Sequence, residues 1–317
     1  YKNKSEDLLY SVPVPAQTGV SNTSVTMNAA SMENSGFEFS ATYRNRDHAF
    51  KYDISANVST LKNKVTSLGI GKDSYISGAY ATYVGQEIGQ FYGWVYKGIA
   101  RTQDDLDNNA VQQGANIGDC LYEDISGPNG EPDGVIDAYD QTVLGSGLPK
   151  VNFGLSTHME YKGFDLNIST YGVLNYHVSD DIYNSLNSCY GYGNKEVGML
   201  DANRWSEDGS TYLSSVPRTY AANNATLAWN DLFSSRKIQN AAYWKIANVE
   251  LGYNFPDKWF GGYVSGVRLY VSAQNLYTFT GYHGYNVDYA GGTFTPGYNF
   301  CSFPSARTFM AGLHFTF

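Results

Sequence analysis

The chain has 317 residues, 42% of them hydrophobic and 15% aromatic, with a formal net charge of −9. No run of about 18 apolar residues occurs, which excludes a helical membrane span, and the acidic balance argues against nucleic acid as a partner, because phosphate contacts need a basic face. The three cysteines, Cys120, Cys189 and Cys301, lie far apart without a CxxC spacing; they suggest no zinc site and leave at least one thiol unpaired within the chain.

Taken in chain order, Tyr1 to Tyr10 reads as the end of a strand that Pro13 and Pro15 stop, since proline cannot donate to a ladder. After a Ser/Thr/Asn-rich loop, Gly36 to Arg44 alternates with Phe37, Phe39, Ala41 and Tyr43 on one face. A turn at Asn45 to His48 leads into Phe50 to Val58, which alternates likewise, so the pair reads as a hairpin. The same figure recurs at Val151–Tyr161 with Phe164–Tyr171 around Lys162-Gly163, and at Ala247–Phe255 with Val267–Gln274 around Pro256 to Gly262. The final stretch puts Phe309, Ala311, Leu313, Phe315 and Phe317 on one face, with Met310 the exception on the other.

A strand that closes on an aromatic carboxy-terminus is how outer-membrane barrels finish. The load of 28 Tyr, 16 Phe and 5 Trp suits aromatic girdles at two membrane interfaces. Short turns alternating with long connections match the short periplasmic turns and long external loops of such barrels. The faces opposite the apolar ones carry Glu38, Ser40, Asp53, Asn57, Asn152, Asp165, Asn167, Glu250, Arg268 and Gln274, which a wet lumen tolerates. A soluble β-sandwich or propeller shares this alternation, and the residues read alone leave both open, together with a soluble glycan-binding module or a β-rich hydrolase as functions. The chain opens on Tyr1 with neither an initiator Met nor a signal peptide, so it is expected to be part of something longer.

Several stretches narrow the choice. Ser235 to Pro256 (SRKIQNAAYWKIANVELGYNFP), Val267 to Leu276, Arg204-Trp205, Pro217-Arg218 and the strand from Arg307 resemble the closing signature of the SusC/RagA family of TonB-dependent outer-membrane transporters. Ser31 to Ser40 and Gly85 to Gly93 fit the same family in the same order. The resemblance runs nearly end to end and implies an all-β fold: residues 1–317 would be the C-terminal portion of a large barrel, with plug domain and N-terminal strands absent. It implies a parent barrel of about 22 strands, of which roughly eight to ten antiparallel ones lie here. It further implies TonB-dependent import of peptides or glycans rather than catalysis, at the outer membrane. The partners implied are the remaining N-terminal barrel and plug, a SusD-like lipoprotein lid and the TonB complex. With Phe317 in the periplasm, either zero or two further strands are required between Val65 and Lys150, and Gly89 to Tyr96 is the candidate for one of a pair.

One constellation carries metal chemistry. From Arg101 to Pro149 there are ten acidic residues and one basic. Within it, Asp133-Gly134-Val135-Ile136-Asp137 with Asp140 follows the second half of an EF-hand loop: Gly134 for the sharp turn, Ile136 as anchor, carboxylates for a hard cation. The expected ligands are Asp124, Ser126, Asp133, Asp137 and Asp140, and the expected ion is calcium. The pattern departs from an EF-hand in the insertion Pro128 to Pro132, in Ser126 and in Asp140 at the last position, so an acidic turn without metal stays open. His48, His158, His177, His283 and His314 are scattered and build no catalytic motif. The loops Ser179 to Ser235 and Gly281 to Phe303, rich in Tyr, Asn and Gly, suit contact with sugar or peptide backbone, or packing on a partner.

Overall fold

A computed structural model describes residues 1–13, 24–69, 72–189, 194–197, 204–206, 216–219, 229–260, 264–288, 291–300 and 302–316. Strands β1 (Lys2–Pro13), β2 (Ser24–Ser35), β3 (Glu38–Asn45), β4 (Phe50–Thr60) and β5 (Lys62–Leu68) come first. Short strands follow: β6 (Ser74–Ser77), β7 (Tyr80–Tyr83), β8 (Gln90–Gly93), β9 (Tyr96–Ile99), β10 (Cys120–Tyr122) and β11 (Thr142–Ser146), with helix α1 (Gln103–Asp107) between β9 and β10. The hairpin β12 (Val151–Tyr161) and β13 (Phe164–Leu174) precedes β14 (His177–Asp180) and α2 (Asp181–Leu186). After β15 (Gln239–Asn240) come β16 (Tyr243–Phe255) and β17 (Gly266–Thr280). Three two-residue strands, β18 (Gly291–Gly292), β19 (Thr295–Pro296) and β20 (Tyr298–Asn299), then lead to β21 (Thr308–Thr316).

Seven strands build one antiparallel sheet in the order β21-β17-β16-β13-β12-β4-β3, and β1-β2-β5 form a second. The second continues the first: β2 runs into β3 across Gly36-Phe37 and β4 into β5 across Leu61, with Gly36 N donating to Tyr1 O at 3.1 Å and Thr60 N to Phe37 O at 2.9 Å. Counting each continuation once, β1, β2/β3, β4/β5, β12, β13, β16, β17 and β21 are eight strands, the lower end of the expected number. Pairing in β1 persists to Pro13, opposite Ser24, so that proline closes the ladder without interrupting it.

Register fixes the polarity of the wall. Val151 pairs with Thr60 and with Leu174, and Tyr243 with Thr280, so the three long connections leave from one end. The tight turns leave from the other, where Asn45 faces Tyr52, Tyr161 faces Phe164 and Phe255 faces Val267. At Lys162-Gly163 both φ angles are positive (48° and 87°), the two-residue turn whose twist matches the flanking strands. Among the described residues no wall strand runs between β5 and β12, and Gly89 to Tyr96 contributes instead to β8 and β9, in the small sheets of the first long connection.

One face of the wall is apolar and open: Phe39 is 65% exposed, Val271 52% and Phe309 69%. The opposite face carries the polar row, with His158 across from Asp53 on one side and Asn167 on the other. Met310 follows its parity and pairs with Ser272 on the polar side. Ala247, expected among the outward residues, is instead a bulge. Neither neighbouring ladder pairs it, Asn275 on β17 takes a positive φ of 51°, and outward residues on β16 switch from odd (Val249, Leu251) to even (Trp244, Ile246). The switch brings Trp244 against Phe279, rings stacked 5.3 Å apart. Phe317 and Cys301 lie outside the described residues.

On the polar face, Asp165, Gly252, Tyr270 and Gly312 form one cross-strand row. The glycines are required by close approach: a Cβ on Gly252 would lie 2.5 Å from Arg268 Nη2 and 2.6 Å from Asp165 Oδ1, and one on Gly312 2.4 Å from the Tyr270 ring. Over the space so left, Arg268 stacks on Tyr270 at 5.2 Å and reaches two carboxylates. Gly252→Ala must displace this pair and is expected to destabilise by about 1 to 3 kcal/mol, the usual cost of overpacking. Gly266→Ala, whose Cβ meets only Thr316 at 3.7 Å, should be near neutral. Thermal unfolding of the full-length protein compares the two, and equal midpoints would refute the packing argument.

Candidate functional site

The polar face and the loops at its far end form one continuous surface. Near the tight turns it is a mosaic of paired charges. Arg268 donates through Nε to Asp165 Oδ1 (3.0 Å) and through Nη2 to Glu250 Oε1 (2.7 Å), and Asn254 adds a bond to Asp165 at 2.9 Å. His158 bridges Asn167 (2.6 Å) and Glu160 (2.8 Å), Lys51 approaches Glu160 at 3.6 Å, and Arg46 bonds Asp53. Opposite charges stand beside one another in Arg46 with Asp53, Lys51 with Glu160 and Arg268 with Asp165 and Glu250, which suits a wet, protein-lined interior and not an apolar one.

At the other end, side chains from distant loops bind down onto the wall. Lys245, 3% exposed, donates to Asp288 at 2.6 Å, and the same carboxylate accepts from Tyr171 at 3.2 Å. That ties the connection after β17 to the top of β13 and β16. Asp180 accepts from the Tyr282 hydroxyl and from Asn299 Nδ2 (3.1 Å) through one oxygen, and caps α2 through Tyr183 N (2.8 Å) with the other. Two connections, with partners more than a hundred residues apart along the chain, therefore share one buried carboxylate.

The first and second connections meet around a small core of Cys120, Tyr122, Ile136 and Trp229, with Trp94, Tyr96 and Leu232 against it. Beside it, Asp119 is 4% exposed and receives a two-pronged bond from Arg218, 2.6 and 2.8 Å, with Asn230 donating to the same carboxylate at 2.8 Å. Asn230 Oδ1 accepts in turn from Cys120 N (2.6 Å), and Gln112 bonds both Cys120 O and Tyr122 N. Arg204-Trp205 and Pro217-Arg218, sequence landmarks above, meet here: Arg204 bridges to Val216, and Trp205 N donates to Val216 O at 2.8 Å. Cys120 and Cys189 are both buried free thiols. Burial pushes their pKa up to about 12 and about 11, so neither is poised as a thiolate.

The acidic stretch is folded by its own carboxylates. Asp140, fully buried, accepts from Ile125 N (2.7 Å), Ser126 N (3.1 Å) and Asp137 N (2.8 Å). Asp124 accepts from Gly134 N at 2.7 Å, Asp133 from Val135 N at 3.0 Å and Asp137 from Tyr139 N at 2.7 Å. Gly134 has φ of 84° and Ile136 is buried in the loop core, both as expected. The five expected ligands thus share one loop. Among the described residues, however, no three His, Cys, Asp or Glu side chains are grouped to hold a metal ion. Sequence reasoning missed Asp180, Tyr282, Asp288 and Asn299, because partners so distant along the chain leave no local spacing to read.

A wall with an apolar outside, a charge-mosaic inside and all long loops at one end is a section of a β-barrel. Comparison with known proteins says which kind. No family model matches the chain. Over its whole length it is 32% identical to TonB-dependent receptor P3 of Formosa agariphila and 27% identical to TonB-dependent receptor SusC of Bacteroides thetaiotaomicron, covering 32% and 29% of those receptors. The chain thus spans about a third of the length of the curated relatives it matches. The RagAB peptide transporter shares the fold, with a TM-score of 0.77 at 22% identity over 98% of this chain and 32% of that one; an open-open state of the RagAB peptide importer gives 0.75. The chain belongs to the SusC/RagA family of TonB-dependent receptors, of which it carries barrel wall and loops, and the relatives it matches are receptors rather than enzymes.

Asp119→Asn removes the charge that Arg218 needs. Breaking a buried pair costs about 3 to 5 kcal/mol, and the lower end applies because Arg218 keeps about a third of its side-chain surface in solvent. Amide hydrogen exchange should accelerate at Cys120 and Tyr122 and stay unchanged in β16 and β17. Unaltered protection at Cys120 would show that the pair does not organise these loops.

Proposed function

We propose that the protein to which this chain belongs imports oligomeric nutrients, peptides or glycans, across the outer membrane in a TonB-dependent cycle, with a SusD-like surface lipoprotein over the loop end. The observation that carries this reading is the match of this whole chain to about a third of the length of TonB-dependent receptors, borne on a wall whose two faces differ as a lipid face and a lumen face must. Unpaired β-edges are not tolerated in hydrocarbon, so the companions of the wall are the rest of the barrel and its plug. Within the wall, β16 and β17 have 13 and 15 residues against the about 9 to 11 a membrane strand needs. The excess carries the wall beyond the bilayer on the loop side, where a lid protein would rest.

Deleting the gene should abolish growth on the nutrient imported while growth on glucose is unaffected; unchanged growth on every peptide and glycan tried would sink the proposal. Facing is tested by Leu251→Arg and Leu269→Arg, each of which places a cation on the apolar side at a cost of about 2 to 4 kcal/mol near the bilayer midplane. Both should lower the amount of folded receptor in outer-membrane fractions, whereas Gln274→Ala, on the polar side, should not. Equal yields from the two classes would mean that the apolar face does not meet lipid.

We propose in addition that the loop from Asp124 to Asp140 takes calcium, which would hold the acidic connection in one conformation under a lid. The order of oxygen donors and the turn at Gly134 support this, and Asp124, Asp133 and Asp137 retain lone pairs beyond their backbone bonds. Calcium should slow protease cleavage between Glu123 and Gln141, and Asp133→Ala with Asp137→Ala should remove the effect without unfolding the wall. Identical cleavage in calcium and in EDTA would leave only the acidic turn.

A further inference from the structure

Between the second long connection and β9 lies an open hollow of about 280 Å³ lined by Tyr96, Tyr183, Asn184, Asn187, Arg236 and Lys237, with Val216 at its edge. The two cations are adjacent on a single 3-10 turn, Ser235–Lys237, which is pinned to the strand beside it. Ser235 N donates to Trp94 O at 3.1 Å, Ser235 Oγ accepts from Tyr96 N at 3.0 Å, and Lys237 N donates to Ser234 O at 2.9 Å. On the opposite side α2 is held by the Asp180 cap, and Asn187 Nδ2 is fixed by Tyr183 O and Glu196 Oε2, both at 2.8 Å. Tyr183 is further stacked on His283 at 5.7 Å. The hollow is therefore built from both sides by elements whose positions other contacts decide.

Among the described residues, neither of its cations forms an ion pair, and Arg236 has no hydrogen-bond partner either, although its side chain is half-buried. Lys237 donates one of its three N–H bonds to the backbone carbonyl of Asp231 at 2.5 Å. Burial lowers its pKa, opposed by the nearby Asp231 carboxylate, which itself is occupied by Ser188 Oγ (2.8 Å) and Cys189 N (3.1 Å). Glu196 accepts from Asn187, one of the lining residues. A half-buried guanidinium that no described carboxylate engages, beside an ammonium with two donors left and flanked by two phenols, makes a site that can accept one more anion.

We propose that this hollow is a cargo subsite that seats a carboxylate: the terminal or acidic carboxylate of a peptide, or the uronic acid of a glycan. This deepens the transport reading and rests on it. Arg236 supplies the planar fork that a carboxylate accepts in two-pronged fashion, and Lys237 adds a point charge from behind. Tyr96 and Tyr183 offer flat faces to whatever the carboxylate is attached to. The hollow is of a size for one residue or one sugar ring, so it would fix one unit of an oligomer and leave the remainder to the polar wall.

The test uses the full-length receptor in detergent and titration calorimetry with four probes: a hexapeptide with a free carboxy-terminus, the same peptide amidated, trigalacturonate and neutral trigalactose. One carboxylate probe should bind at least about tenfold more tightly than its neutral counterpart, the size expected for a charge-assisted bond, and which one does so identifies the source. Arg236→Gln should erase that ratio, Arg236→Lys should restore part of it, and the affinity of the carboxylate probe should fall with salt only where Arg236 is present. Equal binding of charged and neutral probes to the unmodified receptor, no binding by either carboxylate probe, or a ratio unchanged in Arg236→Gln would each overturn the inference. Gene deletion that still abolishes nutrient growth in those cases would leave the transport reading standing, so the two failures are distinguishable.

Discussion

The constraint on which the rest of the structure depends is that one face of the wall cannot be left in water. Phe39, Leu251, Leu269, Val271, Phe309 and Leu313 stand out from one sheet, from its β3 edge to its β21 edge, and no element of the described chain covers them. An apolar patch on that scale is far beyond what a soluble surface carries, and burying it is worth roughly 25 cal/mol for each Å² removed from water. An apolar surrounding for this face obliges the other to take the charged groups of the strands, because strand geometry offers two faces and no third. The mosaic of Arg268, Asp165, Glu250, His158 and Glu160 follows from that obligation.

Charges crowded on one face of a sheet need partners, and the pairing depends on glycine. Arg268 lies flat across Gly252 and reaches Asp165 and Glu250 on two neighbouring strands, while Tyr270 fills the space over Gly312. A residue with a Cβ at either position would lift its neighbour off the sheet and separate the charges. The same logic explains Gly154, whose missing Cβ leaves 2.9 Å to Asn57. Where outward residues change parity, the bulge at Ala247 and Asn275 keeps Lys245 and Glu250 on the same inner face despite their odd separation, and so allows Lys245 to reach Asp288.

Much of the wall was legible in the sequence, because a period of two in hydrophobicity is a direct imprint of which side each residue faces. The three hairpins, their short turns and the inward residues Asp53, Asn167, Arg268 and Gln274 all stand where alternation puts them. Ala247 was misplaced, since an alanine is small enough for either face and a bulge announces itself only through the partner strand. The loop assembly was scarcely legible. Its carboxylates, Asp119, Asp180 and Asp288, bind groups roughly forty to more than a hundred residues away, and nothing in local spacing distinguishes them from solvated surface acids. Gly134 and Ile136 were readable because their roles, a positive φ and an apolar anchor, are local.

The difference between wall and loops has a physical origin. Strands of the wall are held by ladders of backbone bonds, so their side chains are free to satisfy the two surroundings. Among the described residues the loops have only short ladders, and loop closure across a hundred residues must be offset by contacts between side chains. Asp119 and Asp180 serve well because a buried carboxylate accepts several bonds at once: Asp119 joins Arg218 and Asn230, and Asp180 joins Tyr282, Asn299 and the first turn of α2. Each is specific in direction, as apolar packing is not. A surface built in this way holds its shape at the mouth of the barrel without a large core, and the cations it leaves unmatched, Arg236 foremost, are held in place by bonds they do not themselves make.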